Sequence, residues 1–392
     1  MRSDKAVKTA YLGLQLFYMA EVCMISGFAV LFLSSRGMNN SAAGATVALA
    51  RLLSILILNP LSRELDTDKV LLKKLFPIAA ALLFLLHVLL VFVSSSIFYT
   101  FLVFAAASMV SALCSSLSTI LYSDLFFGGI EIDYGLSRGL GSFSYTVVSY
   151  YTGRLVAAHS PECIPFIGIA VSLGFLLFTM FLCSSLNNAQ AKESNFGKSD
   201  EKLLSYIRGR KGFSLLFVGI LLIYSAYISA NSFAINLIRS IGGSANELGI
   251  YNSLGALFEI PFMIIFSKVS MKNSRGLLCF SLLLMTLKVL LLAASHNMFW
   301  VCGAAILQGA SFGLYTPSIV NYIKDNTSYG NSAKGQSVVS IAASLGGVSG
   351  MLISGKLLDN LPVRTVLLIM VVISLIGSAT VWQASLKITG EP

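Results

Sequence analysis

The feature that most constrains this chain is a series of long apolar runs separated by short polar breaks. About 20 mostly apolar residues are enough for one helix to cross a bilayer. Only 11% of the 392 residues are charged, whereas a soluble domain carries about 25%. The composition therefore excludes a soluble enzyme, a disordered chain and a coiled coil. Twelve runs can be delimited, at 8–34, 42–62, 70–94, 98–127, 134–158, 163–187, 212–239, 245–268, 275–294, 297–323, 332–357 and 363–386.

Lysine and arginine are distributed unevenly between the connections on the two sides. The alternating connections that include both termini hold 19 of the 27 Lys and Arg residues, and the opposite connections hold 4. Because cytoplasmic loops are enriched in Lys and Arg, this bias predicts a multi-pass protein of the cell inner (plasma) membrane with both termini in the cytoplasm. The net charge of +10 has the same interpretation, so no nucleic-acid partner is expected.

The cysteines and histidines are not arranged as metal ligands. The six cysteines form no CxxC pair, and the three histidines are scattered along the chain. Most of the cysteines lie inside apolar runs, where a thiol behaves as a small hydrophobe. The sequence contains no catalytic triad, P-loop or metal motif, so we expect neither a metal nor a cofactor nor an enzymatic activity.

The chain divides near its midpoint. A polar segment at 188–211 is interpreted as a cytoplasmic linker between an N-terminal six-helix bundle (1–187) and a C-terminal six-helix bundle (212–392). The Gly-Arg-Leu that begins at Gly153 recurs as the Gly-Lys-Leu that begins at Gly355, 202 residues later. An even number of spans per half makes this a parallel repeat, an arrangement that places the substrate path between the halves. The predicted fold is an all-α membrane protein with 12 transmembrane helices in two pseudo-symmetric six-helix bundles.

Ionisable residues inside the apolar runs are candidate site residues. A charge in hydrocarbon costs at least ~2.5–3.5 kcal/mol, so such residues usually face a cavity or a partner. Glu21 lies in the first run, where it is either a cavity carboxylate or a protonated group bonded to a neighbouring helix. Glu259 lies in the eighth run before Pro261, which kinks the helix, and is a candidate coupling-ion site. Lys288, in the ninth run, is either a counter-ion for Glu259 or another acid, or a contact for a substrate carboxylate.

Further polar residues mark other runs. Asp124 ends the fourth run and Arg138 opens the fifth, and the short turn between them brings the two helices side by side. This pair forms either a structural salt bridge or a contact for substrate hydroxyls. Asn231 and Gln308 place amides in the seventh and tenth runs. Buried amides need hydrogen-bond partners, which a neighbouring helix or a substrate would supply.

Three short segments combine charged, glycine and aromatic residues in a recognisable order. They are Asp133-Tyr134-Gly135-Leu136-Ser137-Arg138-Gly139-Leu140-Gly141-Ser142, Leu257-Phe258-Glu259-Ile260-Pro261 and Gln308-Gly309-Ala310-Ser311-Phe312-Gly313. They resemble signatures of the lactose-permease and phenylpropionate-permease branch of the major facilitator superfamily. The resemblance implies the major facilitator fold. It also implies that Arg138 binds substrate, that Asp124 lies near the position of its span-four carboxylate partner, and that Tyr145 stacks an aromatic ring on the substrate.

The departures from that family pattern concern the proton site. Gln308 stands where the family has a histidine, and Ser311 stands where lactose permease has its proton-accepting glutamate. The proton site of lactose permease therefore does not transfer to this chain. The carboxylates left for proton coupling are Glu259, Glu21 and Asp124.

These observations predict a secondary active transporter that moves a small organic solute in symport with protons by alternating access. The expected partners are a sugar, a nucleoside or an aromatic acid, together with protons and the lipid bilayer, and the expected state is a monomer. The alternatives are a proton-driven multidrug exporter, and a non-transporting membrane receptor or enzyme. The predicted substrate-binding residues are Glu21, Asp124, Arg138, Tyr145, Lys288, Gln308 and Asn231.

Overall fold

The computed structural model of the chain describes residues 2–65, 69–92, 96–127, 130, 132, 134–185, 211–268, 273–327 and 332–388. Within these residues the secondary structure is helical, with no β-strand. The helices are α1 (Arg2–Val22), a π-helical turn (Cys23–Gly27), α2 (Ala29–Ser35), α3 (Asn40–Leu65), α4 (Lys69–Phe92), α5 (Ile97–Phe127), α6 (Tyr134–Ala158), α7 (Cys163–Ser185), α8 (Lys211–Ser232), α9 (Ala234–Ser240), α10 (Ala245–Lys268), α11 (Ser274–Ala293), α12 (Met298–Asp325), α13 (Ser332–Leu358) and α14 (Val363–Lys387).

Ten helices are long and apolar enough to cross a membrane, counted over the described residues. Two further helices, α6 and α10, are not among the ten. They carry Arg138, Tyr145 and Glu259. Polar residues are expensive in hydrocarbon and usually face a cavity or a partner.

Two of the apolar runs are interrupted helices, which the sequence did not predict. The first run consists of α1, the π-helical turn at Cys23–Gly27 and α2, and the seventh consists of α8 and α9 with a break at Phe233. Both interrupted helices end at a glycine in the left-handed region, Gly37 with φ 83° and Gly242 with φ 82°. Glycine adopts this conformation without the steric penalty that other residues incur. The first and seventh runs are thus built in the same way.

The described residues of Met1–Ser194 and Ser244–Ser253 form one compact unit, called the first unit below. In it α1 packs against α6 and α7, and α4 packs against α5 and α7. The core between these helices is closed by fully buried side chains such as Leu14, Phe76 and Phe175. The first unit is therefore held together by helix faces that bury large apolar side chains.

The described residues of Asn195–Gly243 and Leu254–Pro392 form the second unit. In it α8 packs against α13 and α14, and α11 packs against α12 and α14. The core is closed by Leu216, Met285 and Val338, all buried. The pairing of helices is the one found in the first unit, with α8 in the place of α1 and α11 in the place of α4. Residues 188–210 of the predicted linker lie outside the described residues.

Close contacts at glycines show which residues of the second repeat correspond to which residues of the first. In each of four contacts, an added Cβ on the glycine would lie only 2.2 to 2.8 Å from the partner side chain. The contacts of the second unit follow those of the first by 206 residues in the α1–α8 pair and by 203 residues in the α7–α14 pair. The glycine–partner contacts are Gly13 with Phe178 and Gly174 with Phe17 in the first unit, and Gly219 with Val381 and Gly377 with Ile223 in the second.

Candidate functional site

A buried lysine organises the polar groups of the second unit. Lys288 lies in the middle of α11 with 0% of its surface exposed. Its ammonium donates hydrogen bonds to Gln308 Oε1, at 2.6 Å, and to Asn231 Oδ1. The ammonium also lies 4.6 Å from the centre of the Tyr227 ring. We call Lys288, Asn231, Gln308 and Tyr227 the lysine cluster.

Three helices supply the lysine cluster. Tyr227 and Asn231 lie four residues apart on α8, so that they share one face of the helix. Lys288 comes from α11 and Gln308 from α12, two helices that pack along their length. The Tyr227 ring is stacked on Phe312, with centroids 6.4 Å apart and an interplanar angle of 8°. The packing of α8, α11 and α12 therefore fixes both the amides and the aromatic face around the ammonium.

The lysine cluster surrounds the Lys288 side chain with two amides and an aromatic ring. An ammonium has only donors, so both amides turn their oxygens towards it. The NH₂ group of each amide then points away from Lys288. Cation–π contact with a tyrosine adds about 0.5–2 kcal/mol of stabilisation. The cluster therefore combines hydrogen-bonding groups and an aromatic face around one buried lysine.

The first unit contains a second buried polar group. Glu21 in α1 is 0% exposed and His87 in α4 is 2% exposed. His87 Nε2 lies 3.5 Å from Glu21 Oε1. We call these two residues the acid–histidine pair. The pair forms because α1 and α4 both pack on α7, and because Gly168 of α7 lets the imidazole approach so closely that an added Cβ would lie 2.1 Å from His87 Cδ2.

The other imidazole nitrogen of His87 has a fixed partner. His87 Nδ1 lies 3.0 Å from the Leu83 carbonyl oxygen. A carbonyl only accepts hydrogen bonds, so Nδ1 carries a hydrogen and Nε2 is the nitrogen that faces Glu21. Neither Glu21 carboxylate oxygen has a hydrogen-bond partner among the described groups, so the 3.5 Å approach of His87 Nε2 is a close polar contact and not a formed hydrogen bond. The acid–histidine pair is thus a polar contact of two titratable side chains inside an apolar core.

Arg138 and Tyr145 of α6, which the family resemblance identifies as substrate-binding residues, also lie in the first unit. Arg138 is half-buried, and its Nη1 lies 3.6 Å from Met19 Sδ. The Tyr145 hydroxyl packs on the interrupted part of the first run, 2.8 Å from the position that a Cβ on Gly27 would take. The side chain of Asp124 lies outside the described residues, although α5 itself continues to Phe127.

Glu259 belongs to the second unit. It is half-buried on α10, and the helix continues through Pro261 to Lys268. The structure thus brings together three predicted residues, Lys288, Asn231 and Gln308. Lys288 therefore has two amide partners. The sequence-based interpretations of Lys288, as a counter-ion and as a substrate contact, did not include these amides.

His87 and Tyr227 are the residues that sequence reasoning missed. His87 lies inside the run at 70–94, one of the most apolar of the chain. The cost of placing an ionisable group in hydrocarbon applies to it as it does to Glu21, so this signal was present. Tyr227 gave no signal, because a tyrosine in an apolar run is typical of an ordinary membrane helix.

The fold is similar to that of solved membrane transporters. The nucleoside transporter NupG aligns with a TM-score of 0.79 and 17% identity, over 99% of this chain and 100% of that one. A bacterial homologue of the human lysosomal transporter Spinster, in an inward-facing and unoccupied conformation, gives 0.71 and 13%, over 100% and 99%. A bacterial homologue of the iron transporter ferroportin gives 0.71 and 14%, over 97% and 98%. These likenesses confirm the predicted all-α major facilitator fold.

The protein is therefore a multi-pass membrane transporter of the major facilitator type, with a lipid bilayer around it and a small molecule as its substrate, and it is not an enzyme. Over residues 9–369 it matches the MFS_1 like family, and it belongs to that family. No curated protein matches the sequence.

Proposed function

We propose that the chain is a secondary active transporter that moves a small organic solute by alternating access, in symport with protons. The observation that carries this proposal is the lysine cluster, in which a buried cation, two amides and an aromatic ring meet inside a membrane helix bundle. Ionisable groups inside membrane-spanning helices mark substrate and ion pathways. The cluster has the mixture of groups that recognises a polar, ring-bearing solute.

The proposed substrate class is a sugar, a nucleoside or an aromatic acid. Amides hydrogen-bond to hydroxyl and carbonyl groups, and the stacked Tyr227 and Phe312 rings suit a flat or apolar ring face. One of the solved structures with a similar fold is that of a nucleoside transporter, which supports including nucleosides. The proposed substrate-binding residues are Lys288, Asn231 and Gln308 in the second unit, and Glu21, Asp124, Arg138 and Tyr145 in the first.

The proton is proposed to bind at a carboxylate. Glu21, Asp124 and Glu259 are the candidates, because each places an acid in a helix of a membrane protein. A carboxylate is cheaper to hold in a low-dielectric interior when it is neutral or paired. Its protonation therefore offers a way to couple solute movement to a proton gradient.

The proposal also covers the orientation of the chain in the membrane and its division into two bundles. The bias of Lys and Arg supports a protein of the plasma membrane with both termini in the cytoplasm. The recurrence of helix pairings in the two units supports a division into bundles at 1–187 and 212–392, joined by a linker at 188–211. We propose that the protein acts as a monomer of the lactose-permease and phenylpropionate-permease branch.

Solute-induced pH change in membrane vesicles tests the proposed function. Sugars, nucleosides and aromatic acids are added one at a time to vesicles that contain the wild-type protein. We expect one class to make the outside medium more alkaline, because the solute enters together with a proton. Proton release driven by an amphipathic dye, with no response to any of these solutes, would contradict symport and identify a multidrug exporter.

A matched pair of asparagine variants links the response to the lysine cluster. Asn231→Ala removes an acceptor of Lys288, whereas Asn360→Ala removes an exposed amide that bonds only to the Lys356 carbonyl of its own helix end. We expect the pH response to weaken in the first variant and to persist in the second. Equal responses in both variants would exclude the cluster as the substrate site.

A further inference from the structure

The acid–histidine pair differs from the other polar groups of the first unit in being enclosed. Both side chains are buried in the core. Tyr18 on α1, Cys23 on the π-helical turn and Cys114 on α5 face Glu21 electrostatically, and Arg138 on α6 faces Tyr18. Of the other helices that contact α1 or α4, α3 carries Arg51, and α7 carries Cys163 and Cys183 towards its two ends.

The hydrogen-bond geometry of His87 sets how many protons the pair holds. Because Nδ1 carries a hydrogen for the Leu83 carbonyl, Nε2 presents a lone pair to Glu21 in the neutral imidazole. One proton between Nε2 and Oε1 gives either a neutral acid beside a neutral imidazole or an ion pair, and both states are neutral overall. Removing this proton leaves a carboxylate facing the lone pair of Nε2, and adding a second proton leaves the pair with a net positive charge. Burial disfavours both of these charged states.

We propose that Glu21 and His87 together form the proton-binding site of the transporter, with Glu21 Oε1 and His87 Nε2 as the two ends of one proton. The proposal rests on the proposed function, which it narrows to this pair among the three candidate carboxylates. The proton is taken from water on one side of the membrane and returned to water on the other, and no covalent bond other than O–H or N–H is made or broken.

The burial of the acid–histidine pair means that its proton is cut off from water in this structure. A group with 0–2% exposure exchanges its proton only when the surrounding helices part. The interruption of the first run at Cys23–Gly27 lies directly after Glu21 on the chain. π-helical turns of this kind are common at functional sites. The helix that carries the acid is therefore the one whose backbone is already irregular beside the site.

Spectroscopy on the purified full-length protein in lipid tests the proposal without a solute. The infrared C=O band of protonated Glu21 is assigned by its loss in Glu21→Gln and followed against pH. The ring nitrogens of ¹⁵N-labelled His87 are followed by nuclear magnetic resonance over the same range. We expect both probes to report one transition with a common midpoint, because they share a proton. Separate midpoints would overturn the proposal.

Histidine variants provide the matched comparison. His159 makes the same kind of ring contact, Nδ1 to the Leu155 carbonyl at 3.2 Å, but is exposed. We expect His87→Gln to move the Glu21 band midpoint by about one pH unit or more, which corresponds to about tenfold in proton affinity, and His159→Gln to leave it unchanged. His87→Asn serves as a second variant if His87→Gln does not fold, and an unmoved midpoint in a folded His87 variant contradicts the shared proton.

Transport assays separate this proposal from the proposed function. If added solutes move protons in wild-type vesicles but Glu21→Gln and His87→Gln leave that flux intact, the proton site is elsewhere and the inference is wrong. If no solute moves protons while the two spectroscopic probes still titrate together, the shared proton site stands and the proposed symport is wrong.

Discussion

The same position in the two repeats carries an acid–histidine pair in the first unit and a tyrosine–lysine pair in the second. The 206-residue shift that relates Gly13 to Gly219 also takes Glu21 to Tyr227. The sequence His87-Val88-Leu89-Leu90 in α4 is matched by Lys288-Val289-Leu290-Leu291 in α11, and this shift of 201 residues takes His87 to Lys288. Within each unit the two side chains approach each other, Nε2 to Oε1 at 3.5 Å in one and Nζ to the ring centre at 4.6 Å in the other.

The difference between the two pairs is one of proton chemistry. Histidine and glutamate both change charge readily and can share a proton. Lysine beside a tyrosine ring and two amides is a source of hydrogen-bond donors. We infer that this position binds a proton in the first repeat and the solute in the second, so that Glu21 binds the proton rather than the solute, while Arg138 and Tyr145 of the first unit remain proposed solute contacts. A single helix-pairing scaffold thus supplies two kinds of site.

The largest effect is expected at the cation of the second unit. Lys288→Met removes the charged donor that is proposed to bind the solute. A hydrogen bond to a charged group is worth roughly 1.5–3 kcal/mol, so solute affinity should fall by about 10- to 150-fold. Folding should be less affected, because burying the charge itself costs free energy. Solute uptake into vesicles and the melting temperature of the purified variant measure the two effects.

Lys356→Met is the control for that variant, because Lys356 is exposed at the end of α13. It should transport normally. Normal uptake by Lys288→Met would show that the second unit does not bind solute through Lys288. The proposed division of roles between the two repeats would then be wrong.

The next largest effect is expected at Gly168, the residue that leaves room for the His87 ring. Gly168→Ala places a Cβ about 2.1 Å from the imidazole, so the ring must move away from Glu21. Overpacking of this kind costs about 1–3 kcal/mol. We expect uphill, proton-driven accumulation to fall by about tenfold, while solute exchange down its own gradient persists.

Gly303→Ala is the matched control, because an added Cβ there meets only Leu291 at an ordinary 3.6 Å. Accumulation should be unchanged in this variant. If Gly168→Ala also accumulates solute like the wild type, the position of His87 is not what sets proton coupling.

A smaller effect is expected at the Tyr227 ring. Tyr227→Leu removes the aromatic face near the Lys288 ammonium, and the loss of about 0.5–2 kcal/mol should raise the solute KM by about 2- to 30-fold. Tyr227→Phe keeps the ring and should retain most of the affinity. Initial uptake rates over a range of solute concentrations distinguish the two. A larger loss in the phenylalanine variant than in the leucine variant would mean that the hydroxyl, rather than the ring, is what matters.

The smallest effect is expected at the other candidate carboxylate of the second unit. If the proton binds in the first unit, Glu259→Gln should leave proton-driven accumulation close to that of the wild type. Accumulation ratios measured across an imposed pH gradient check this. Loss of accumulation with intact solute exchange would move the proton site to α10 and reverse the assignment of the two units.

The twelve-run pattern predicted the helices well, because hydrocarbon imposes length and hydropathy on each span. The same pattern did not predict the interruptions at Cys23–Gly27 and Phe233. Neither break contains a proline, but Ser26-Gly27 lies in the first and Asn231-Ser232 precede the second. Helix irregularities are common at Gly/Ser pairs, and the hydropathy pattern alone does not register such pairs.

The sequence identifies polar candidate residues one by one but does not predict which of them are in contact. The cost of charge in hydrocarbon singled out Lys288, and the amides of Asn231 and Gln308 were noted in separate runs. That the three meet depends on the rotation of α8, α11 and α12 about their axes, which sequence alone leaves open. His87 was passed over because histidines were considered as metal ligands, although the argument applied to Glu21 also applied to it.

The most direct test of the division between the two units compares Glu21→Gln with Lys288→Met in one vesicle preparation. Solute exchange down its own gradient and proton-driven accumulation are both measured, with the wild type alongside. Glu21→Gln should keep exchange and lose accumulation, since it still binds solute but no longer shares a proton with His87, whereas Lys288→Met should lose both. Equal loss of exchange in the two variants, or accumulation that survives in Glu21→Gln, would contradict the assignment of the proton to the first unit and the solute to the second.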